Sequence, residues 1–297
     1  MIRKTFHMMF CILFLIAILI GFSACSSTKA LPPLDAKVIT SLGDSCKVLY
    51  TGHIDAWNSG NAENLRRFYT DDIVHYDGMP LYVGIDDVIS MEKEYMYVKG
   101  EAGETYIAKD ECFGTWMVWN ISGFTQDNPG VEYDLMQTRE GKISFWRCFY
   151  DQHFYESASR KPQYIKNDFL AQYASSWSSG KTNEILKLYS TNAMLEDTLF
   201  EISISGKREI GGYANSILGK SSGANWKLVH PFAEGEGDNE YYTYSHGGVF
   251  AITVKDSEGN PCEIRAIVLL TPDEEGKIQS QEVFYNADSL LVCGWAK

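Results

Sequence analysis

The chain has 297 residues, of which 45% are hydrophobic and 22% are charged, and its formal net charge is -13 at pH 7. An acid excess of this size disfavours binding to nucleic acid and to anionic lipid surfaces. The length is too great for a mini-protein and suits two domains of ordinary size.

Residues 1–24 have the pattern of an export signal. Two basic residues, Arg3 and Lys4, precede an apolar run over residues 8–22, and small residues follow it. A charged start, an apolar centre and small residues before a cleavage point are typical of a signal peptide. The apolar run is also short for a helix that spans a membrane.

The step from Ala24 to Cys25 resembles a bacterial lipobox. The resemblance implies that Cys25 is lipidated and becomes the mature N-terminus. We therefore expect a cell-envelope protein that is membrane-anchored through Cys25 and faces the periplasm or the exterior, with residues 25–41 as a tether. The alternatives are an uncleaved membrane anchor and ordinary secretory cleavage near Ala30.

Seven cysteines occur in the chain, and five remain once Cys11 leaves with the signal and Cys25 carries lipid. An odd number allows at most two disulfides, and the pairing stays open: Cys46, Cys112, Cys148, Cys262 and Cys293. We expect buried free thiols at Cys112 and Cys148. No Cys or His cluster has zinc spacing, and nothing resembles a phosphate loop or a nucleotide fingerprint, so we expect no metal and no cofactor.

A long phrase occurs twice. Residues 57–77, WNSGNAENLRRFYTDDIVHYD, return as residues 177–197, WSSGKTNEILKLYSTNAMLED, and a closing phrase at 141–151 returns at 276–286. Such matched spacing indicates an internal repeat. We predict two domains, at residues 42–155 and 165–292, with the extra residues of the second copy in a long hairpin or loop within 232–248.

The hydrophobic pattern gives the elements of the first copy in chain order. Residues 42–57 carry apolar side chains at three- and four-residue steps, which predicts an amphipathic helix. A second short helix, a strand, a third helix and three strand-like runs follow, at residues 62–69, 72–77, 85–98, 112–124, 130–139 and 142–151. This order predicts an α+β fold with helices on one face of a curved antiparallel sheet.

This order, the YTDDIVHYD phrase, the Gly-led third helix and the closing GKISFWRCFYD phrase resemble the SnoaL-like polyketide cyclases and ketosteroid isomerases. These families share the nuclear-transport-factor-2-like cone fold. The resemblance covers about residues 42–151 and 165–290. It implies two tandem cone-shaped domains, each with about three helices packed on a curved antiparallel sheet. This fold hosts cyclases, isomerases, dehydratases and binding modules, so function depends on the pocket residues.

Ketosteroid isomerase uses an Asp base together with a Tyr and a protonated Asp as donors to an oxyanion. Carried over by position, the base falls on Asp77, the Tyr on His53 and the second acid on Asp134. In the second copy the same positions are Asp197, Tyr173 and Val268. Neither copy carries the full set.

Side-chain phase predicts which residues face each pocket. In the first copy we expect His53, His75, Asp77 and Asp134 to converge for acid–base chemistry. The aromatic and polar lining is expected from Trp57, His75, Trp146 and Tyr150 in the first copy and from Tyr173, Asp197 and Tyr285 in the second. The alternatives are a turn-forming Asp77, a core His53, and a surface Asp134 if the strand phase slips by one residue.

Three hypotheses follow. The first is an envelope lipoprotein whose pocket binds a small apolar or aromatic molecule. The second is a cofactor-independent cyclase, isomerase or dehydratase of SnoaL type acting through the first copy. The third is a structural pseudo-dimer with no used pocket. In each, we expect the two copies to bury their sheet faces on each other, with Arg147 and Glu282 meeting across the seam.

Overall fold

The computed structural model describes residues 31–76, 81–121, 123–151, 153–154, 167–220, 224–234, 245–256 and 258–297. The expected signal segment, Cys25 and Asp77 lie outside these ranges. Among the described residues, no helix has the length and hydropathy needed to cross a membrane.

The first segment is residues 36–154, and its described residues include two α-helices and six strands. A 3₁₀ helix, Ala62–Phe68, joins the first helix to the first strand. The elements in chain order are α1 (Ala36–Asn58), β1 (Tyr69–Tyr76), β2 (Leu81–Val83), α2 (Ile85–Tyr95), β3 (Lys99–Ala108), β4 (Glu111–Trp119), β5 (Gly130–Arg139) and β6 (Lys142–Asp151).

Residues 167–292, the second segment, repeat this order and end in one further helix. A 3₁₀ helix, Thr198–Phe200, follows the first strand. The elements are α3 (Asn167–Ser178), α4 (Thr182–Leu186), β7 (Tyr189–Asp197), β8 (Ile202–Ser205), α5 (Lys207–Lys220), β9 (Asn225–Glu234), β10 (His246–Lys255), β11 (Pro261–Pro272), β12 (Ile278–Tyr285) and α6 (Ala287–Val292). The mixed α+β class expected from the sequence is confirmed.

Helix α1 begins six residues earlier than its apolar stripe predicts, so the expected tether over residues 25–41 is wrong at its C-terminal end. Asp35 caps the helix, because its side chain accepts a hydrogen bond from the Lys37 amide at 2.8 Å. Leu34 pairs with Ala296 in an isolated β-bridge. This pairing holds the start of the helix against the end of the chain.

The sequence analysis missed two strands of the first segment, β2 and β3. It also predicted a purely antiparallel sheet, whereas the sheet contains parallel pairs. Strand β3 reads KGEAGETYIA, a segment poor in the β-branched residues that favour strands, and its pairing with β4 decides its conformation. Strand β2 has only three residues. Strands β1 and β6 run parallel, as do β7 and β12.

Eight of the strands form a closed run, in which the last strand pairs with the first. Their order is β11-β10-β9-β6-β5-β4-β3-β12, and β11 also pairs with β12. The two joins between the segments are β6 with β9 and β3 with β12. Strands β9 and β10 pair with each other and lie on either side of the expected insertion. Residues 235–244 of that insertion lie outside the described part of the chain.

A buried apolar cluster fills the space inside these eight strands. Tyr133 of β5 stacks on Phe232 of β9 with ring centroids 4.1 Å apart, and Phe113 of β4 lies 5.3 Å from Phe284 of β12. Each of the eight strands contributes at least one member: Tyr106, Ala108, Phe113, Tyr133, Leu135, Phe149, Phe232, Val249, Ile267, Leu269 and Phe284. The segments therefore share one core between their sheets.

An ion pair lies beside this cluster. Arg147 of β6 donates to both carboxylate oxygens of Glu234 on β9, at 2.7 and 2.6 Å, and also to the Ser245 hydroxyl at 2.8 Å. The expected partner of Arg147 was Glu282. The direct join of β6 to β9 brings Glu234 closer than a prediction from the last strands alone could foresee.

Two disulfides tie helices to the sheet. Cys46 of α1 is bonded to Cys112 of β4, and Cys262 of β11 is bonded to Cys293, which follows α6. Cys148 is buried and is not disulfide-bonded, as expected. The expectation of a free thiol at Cys112 is wrong, because α1 packs directly on β3 and β4 and brings Cys46 within bonding distance.

Candidate ligand pocket

A cavity of about 350 Å³ lies in the first segment, between α1, α2 and the sheet. Most of its wall is aromatic or aliphatic, and its polar groups come from two carboxylates, an imidazole, a thiol and tyrosine hydroxyls. The lining residues are Trp57, His75, Met91, Glu92, Tyr95, Tyr97, Val98, Trp116, Val118, Ile121, Glu132, Trp146, Cys148, Tyr150 and Phe154. Concave, mostly apolar sites with few polar groups are typical of small-molecule binding.

The four residues expected as the aromatic and polar lining of the first pocket lie in the cavity wall: Trp57, His75, Trp146 and Tyr150. Trp57 lies on α1, and its Nε1 donates a 3.0 Å hydrogen bond to the carbonyl of Val98, which fixes the indole ring. The His75 ring is stacked on Trp146 at 4.3 Å between centroids, and Tyr150 is stacked on Phe154 at 4.4 Å. These contacts hold the aromatic wall in one arrangement.

Asp134 lies one layer behind the wall, at the centre of a hydrogen-bonded cluster. It accepts from Tyr50 Oη at 2.5 Å and from Trp146 Nε1 at 2.7 Å. Gly114 stands opposite Asp134 in the β4–β5 ladder, and a Cβ at Gly114 would come within 2.4 Å of the Tyr50 ring. Glycine at this position therefore makes the room through which Tyr50 reaches the carboxylate.

Burial raises the pKa of Asp134, and hydrogen bonds from Tyr50, Trp146 and neighbouring side chains oppose that rise. Glu132, Asp134 and Cys148 each place one oxygen or sulfur atom within 4.8 Å of the others. These are the described residues that could hold a metal ion. Both oxygens of Asp134 already accept hydrogen bonds, which favours a proton-sharing cluster over a metal site.

His53 does not line the cavity, contrary to the expectation. It is fully buried, its Nε2 lies 2.7 Å from the Tyr69 hydroxyl, and its ring meets the edge of Trp146 at 5.0 Å. The bulk of Trp146 therefore separates it from the cavity. Burial, with a smaller effect from His75, lowers the pKa of His53 to about 3, so the ring is neutral.

Two carboxylates on the cavity wall were not among the expected site residues. Glu132 shares a strand face with Asp134, and the family resemblance pointed only to Asp134, the more deeply buried of the two. Glu92 is fully buried on α2, where it continues the inward row of Val88 and Ile89 at helical spacing. An acidic residue on the apolar side of that helix is the sequence feature that could have identified Glu92 as a site residue.

Two tyrosine-rich groups in the second segment hold buried polar side chains. Tyr213 and Tyr285 both donate to one oxygen of Asp197, at 2.7 and 2.8 Å. Tyr173 and Tyr189 both donate to Gln281 Oε1, the first at 3.3 Å. Burial raises the pKa of Asp197 to about 6. Of the residues expected here, Asp197 and Tyr285 therefore come together, while Tyr173 pairs with Gln281.

The two segments differ in what they offer chemically. The first places Glu92, Glu132, His75 and Cys148 in a cavity wall. Burial lowers the pKa of His75 to about 3, so this imidazole is neutral. Asp77, the expected base, lies outside the described residues, so the structure assigns it no position.

No protein-family model matches the chain, and no curated protein matches it. Among solved structures it is similar to the epoxide hydrolase/cyclase-like enzyme SalBIII, described for its role in pyran ring formation in the polyether salinomycin, with 22% identity and a TM-score of 0.32. That likeness covers 40% of this chain and 88% of the other.

A second similar structure is described as a polyketide cyclase from Sinorhizobium meliloti, with 16% identity and a TM-score of 0.29. It covers 33% of this chain and 89% of the other. Similarity at this level transfers no residue role to the present chain, whose chemistry follows from its own side chains.

Proposed function

We propose that this protein binds a small apolar or aromatic molecule in the cavity of its first segment. The observation that carries the proposal is the aromatic wall, to which Trp57, Trp116 and Trp146 each contribute an indole. Flat apolar ligands gain from burial against such rings and from edge or stacked ring contacts. The chain would be an envelope lipoprotein built from two tandem SnoaL-like domains.

Binding is tested by filling the cavity. The Ile121→Phe substitution adds a ring at the wall, whereas Val38→Phe adds the same ring on α1 at a side chain that is 52% exposed. Calorimetric titration of the full-length protein with 1-naphthalenemethanol should show saturable binding that Ile121→Phe weakens by about tenfold or more and Val38→Phe preserves. Equal binding by both variants would contradict the proposal and leave the structural pseudo-dimer as the better hypothesis.

A second candidate is a cofactor-independent SnoaL-type cyclase, isomerase or dehydratase. It is favoured by the two carboxylates on the cavity wall and by the Tyr50–Asp134 pair directly behind it. In this version Asp77 is the base and the wall carboxylates move or hold protons. With a substrate identified, Asp77→Asn should reduce turnover by about a hundredfold or more, whereas a simple binder should keep its affinity within about tenfold.

Asp197→Asn is the internal control for that experiment. It makes the same change at the corresponding position of the second segment, where Val268 stands in place of the second acid. Turnover should therefore be retained. A comparable loss in both variants would show a general effect on folding and would count against Asp77 as the base.

Anchorage to the membrane is a separate part of the proposal. It rests on Ala24 and Cys25 directly after the apolar run, followed by a polar segment that contains Pro32 and Pro33. Mass spectrometry of the mature N-terminus should find a diacylated or triacylated Cys25. A free amine on Leu31, or an intact Met1, would refute lipidation.

A further inference from the structure

We infer that the molecule bound in this cavity is a cation, an ammonium group carried on an aromatic or apolar body. The inference deepens the proposed function and rests on it. It follows from which groups line the wall and from which groups are missing there among the described residues.

Two residues of the described lining have side chains that ionise to a charged form at neutral pH in water, and both are glutamates. Glu92 is fully buried and Glu132 is 8% exposed, and no Lys or Arg side chain of the described residues lines the cavity. Carboxylates in a poorly solvated site gain strongly from an opposite charge that arrives with hydrogen-bond donors. A ligand carboxylate or phosphate would instead be desolvated beside two acids.

The aromatic rings favour the same ligand. Trp57, Trp116 and Trp146 line the cavity together with Tyr95, Tyr97, Tyr150 and Phe154. The face of an aromatic ring is electronegative, tryptophan most of all, and attracts ammonium groups within about 6 Å. Aromatic faces combined with carboxylates are the chemistry by which proteins hold organic cations.

His75 adds no positive charge to the wall that would oppose a bound cation. Its Nε2 lies 3.4 Å from the Cys148 sulfur, whereas its Nδ1 is buried and has no hydrogen-bond partner among the described residues. The residue is 3% exposed and lines the cavity. Burial keeps this ring neutral, so it does not repel a cation.

A matched series of naphthalene probes tests the inference. The cation is 1-naphthylmethylammonium, the neutral probe is 1-naphthalenemethanol and the anion is 1-naphthoate. Titrated into the full-length protein, the cation should bind at least about tenfold more tightly than the alcohol, and the anion should bind most weakly. Titration into detergent alone supplies the background.

Three isosteric variants locate the effect. Glu92→Gln and Glu132→Gln should each reduce the ratio of cation to alcohol affinity by about fivefold or more. Glu94→Gln removes the same charge from an exposed position of α2 and should leave the ratio unchanged. The two cavity variants change different elements, so a folding defect in one leaves the other informative.

The outcomes separate the two proposals. If the alcohol binds as tightly as the cation and Ile121→Phe weakens both, the cation inference is wrong and the binding function stands. If no probe binds, or Ile121→Phe affects none of them, both proposals fail. If the cation preference survives in Glu92→Gln and Glu132→Gln, the assignment to these carboxylates is wrong.

Discussion

At the scale of single residues, this protein buries polar groups in pairs that few other side chains could replace. Tyr50 reaches Asp134 only because Gly114 has no side chain, and Tyr213 and Tyr285 converge on one oxygen of Asp197. Such groups are costly to leave without partners. The loss of stability on substitution therefore depends more on the burial of the group left without a partner than on the strength of the hydrogen bond removed.

Loss of one hydroxyl should show this cost in the first segment. Tyr50→Phe removes the 2.5 Å hydrogen bond and leaves a buried carboxyl group less well satisfied. We expect the free energy of unfolding, measured by urea denaturation, to fall by about 1–3 kcal/mol. Tyr95→Phe, at a side chain that is 40% exposed, should change it by less than about 0.5 kcal/mol.

Asp197 should make stability depend on pH. Its pKa is raised from 3.8 to about 6 in the folded chain, so the folded state binds the proton more tightly than the unfolded state does. Stability from this group is greatest at low pH and is lost as pH rises from about 4 to about 6, by on the order of 3 kcal/mol.

The Asp197→Asn variant isolates that effect. The difference in unfolding free energy between the unaltered protein and the variant should shrink over this pH window and stay constant above it. Asp127→Asn makes the same substitution at an exposed residue and is the control for the change itself. A difference for Asp197→Asn that stays flat over this pH window would argue against a raised pKa at Asp197.

At the scale of elements, covalent bonds attach helices to the sheet. The Cys46–Cys112 bond closes a separation of 66 residues between α1 and β4, and the Cys262–Cys293 bond closes 31 residues between β11 and the end of α6. The longer closure restricts the unfolded chain more. Helix α1 also carries Tyr50 and Trp57, so its position bears on the pocket.

Removal of the first disulfide should therefore be the more damaging. The double substitution Cys46→Ala/Cys112→Ala should lower the free energy of unfolding by about 2–4 kcal/mol, and Cys262→Ala/Cys293→Ala should lower it by less. Calorimetric melting compares the two variants. Equal melting temperatures with and without reductant in the unaltered protein would indicate that neither bond forms.

At the scale of the whole molecule, the closed run of eight strands couples the two segments. The pair of Arg147 and Glu234 lies at the join of β6 and β9, with Glu234 only 4% exposed. Removal of one partner from a buried pair leaves the other charge uncompensated. The seam is therefore a place where one substitution should affect both segments.

Arg147→Met should lower the free energy of unfolding by about 3 kcal/mol or more, and Glu234→Gln in the same chain should restore much of that loss. Arg139→Met breaks an exposed pair with Asp72 and should cost at most about 1 kcal/mol. Denaturation followed at separate reporters in the two segments should remain a single transition. A loss for Arg147→Met no greater than that for Arg139→Met would contradict a coupling role for this pair.

The sequence by itself determined what depends on local periodicity. The inward stripe of α1, the strands β5 and β6 with their bounds, and the alternation that turns Trp146 and Tyr150 toward the cavity follow from spacings of 3.6 and 2 residues. The repeated phrases likewise predict a repeated order of elements. These features depend only on which side of each helix or strand is buried, and the spacing of apolar residues along the chain indicates that side.

The tertiary structure decided what depends on partners distant in the chain. Strand β3 exists because β4 pairs with it, Cys112 is oxidised because α1 brings Cys46 to it, and Arg147 meets Glu234 because β6 joins β9. Trp146 shields His53, and α2 brings Glu92 to the cavity wall. Each outcome is a choice among several chemically suitable partners, and only the distances in the folded chain select one of them.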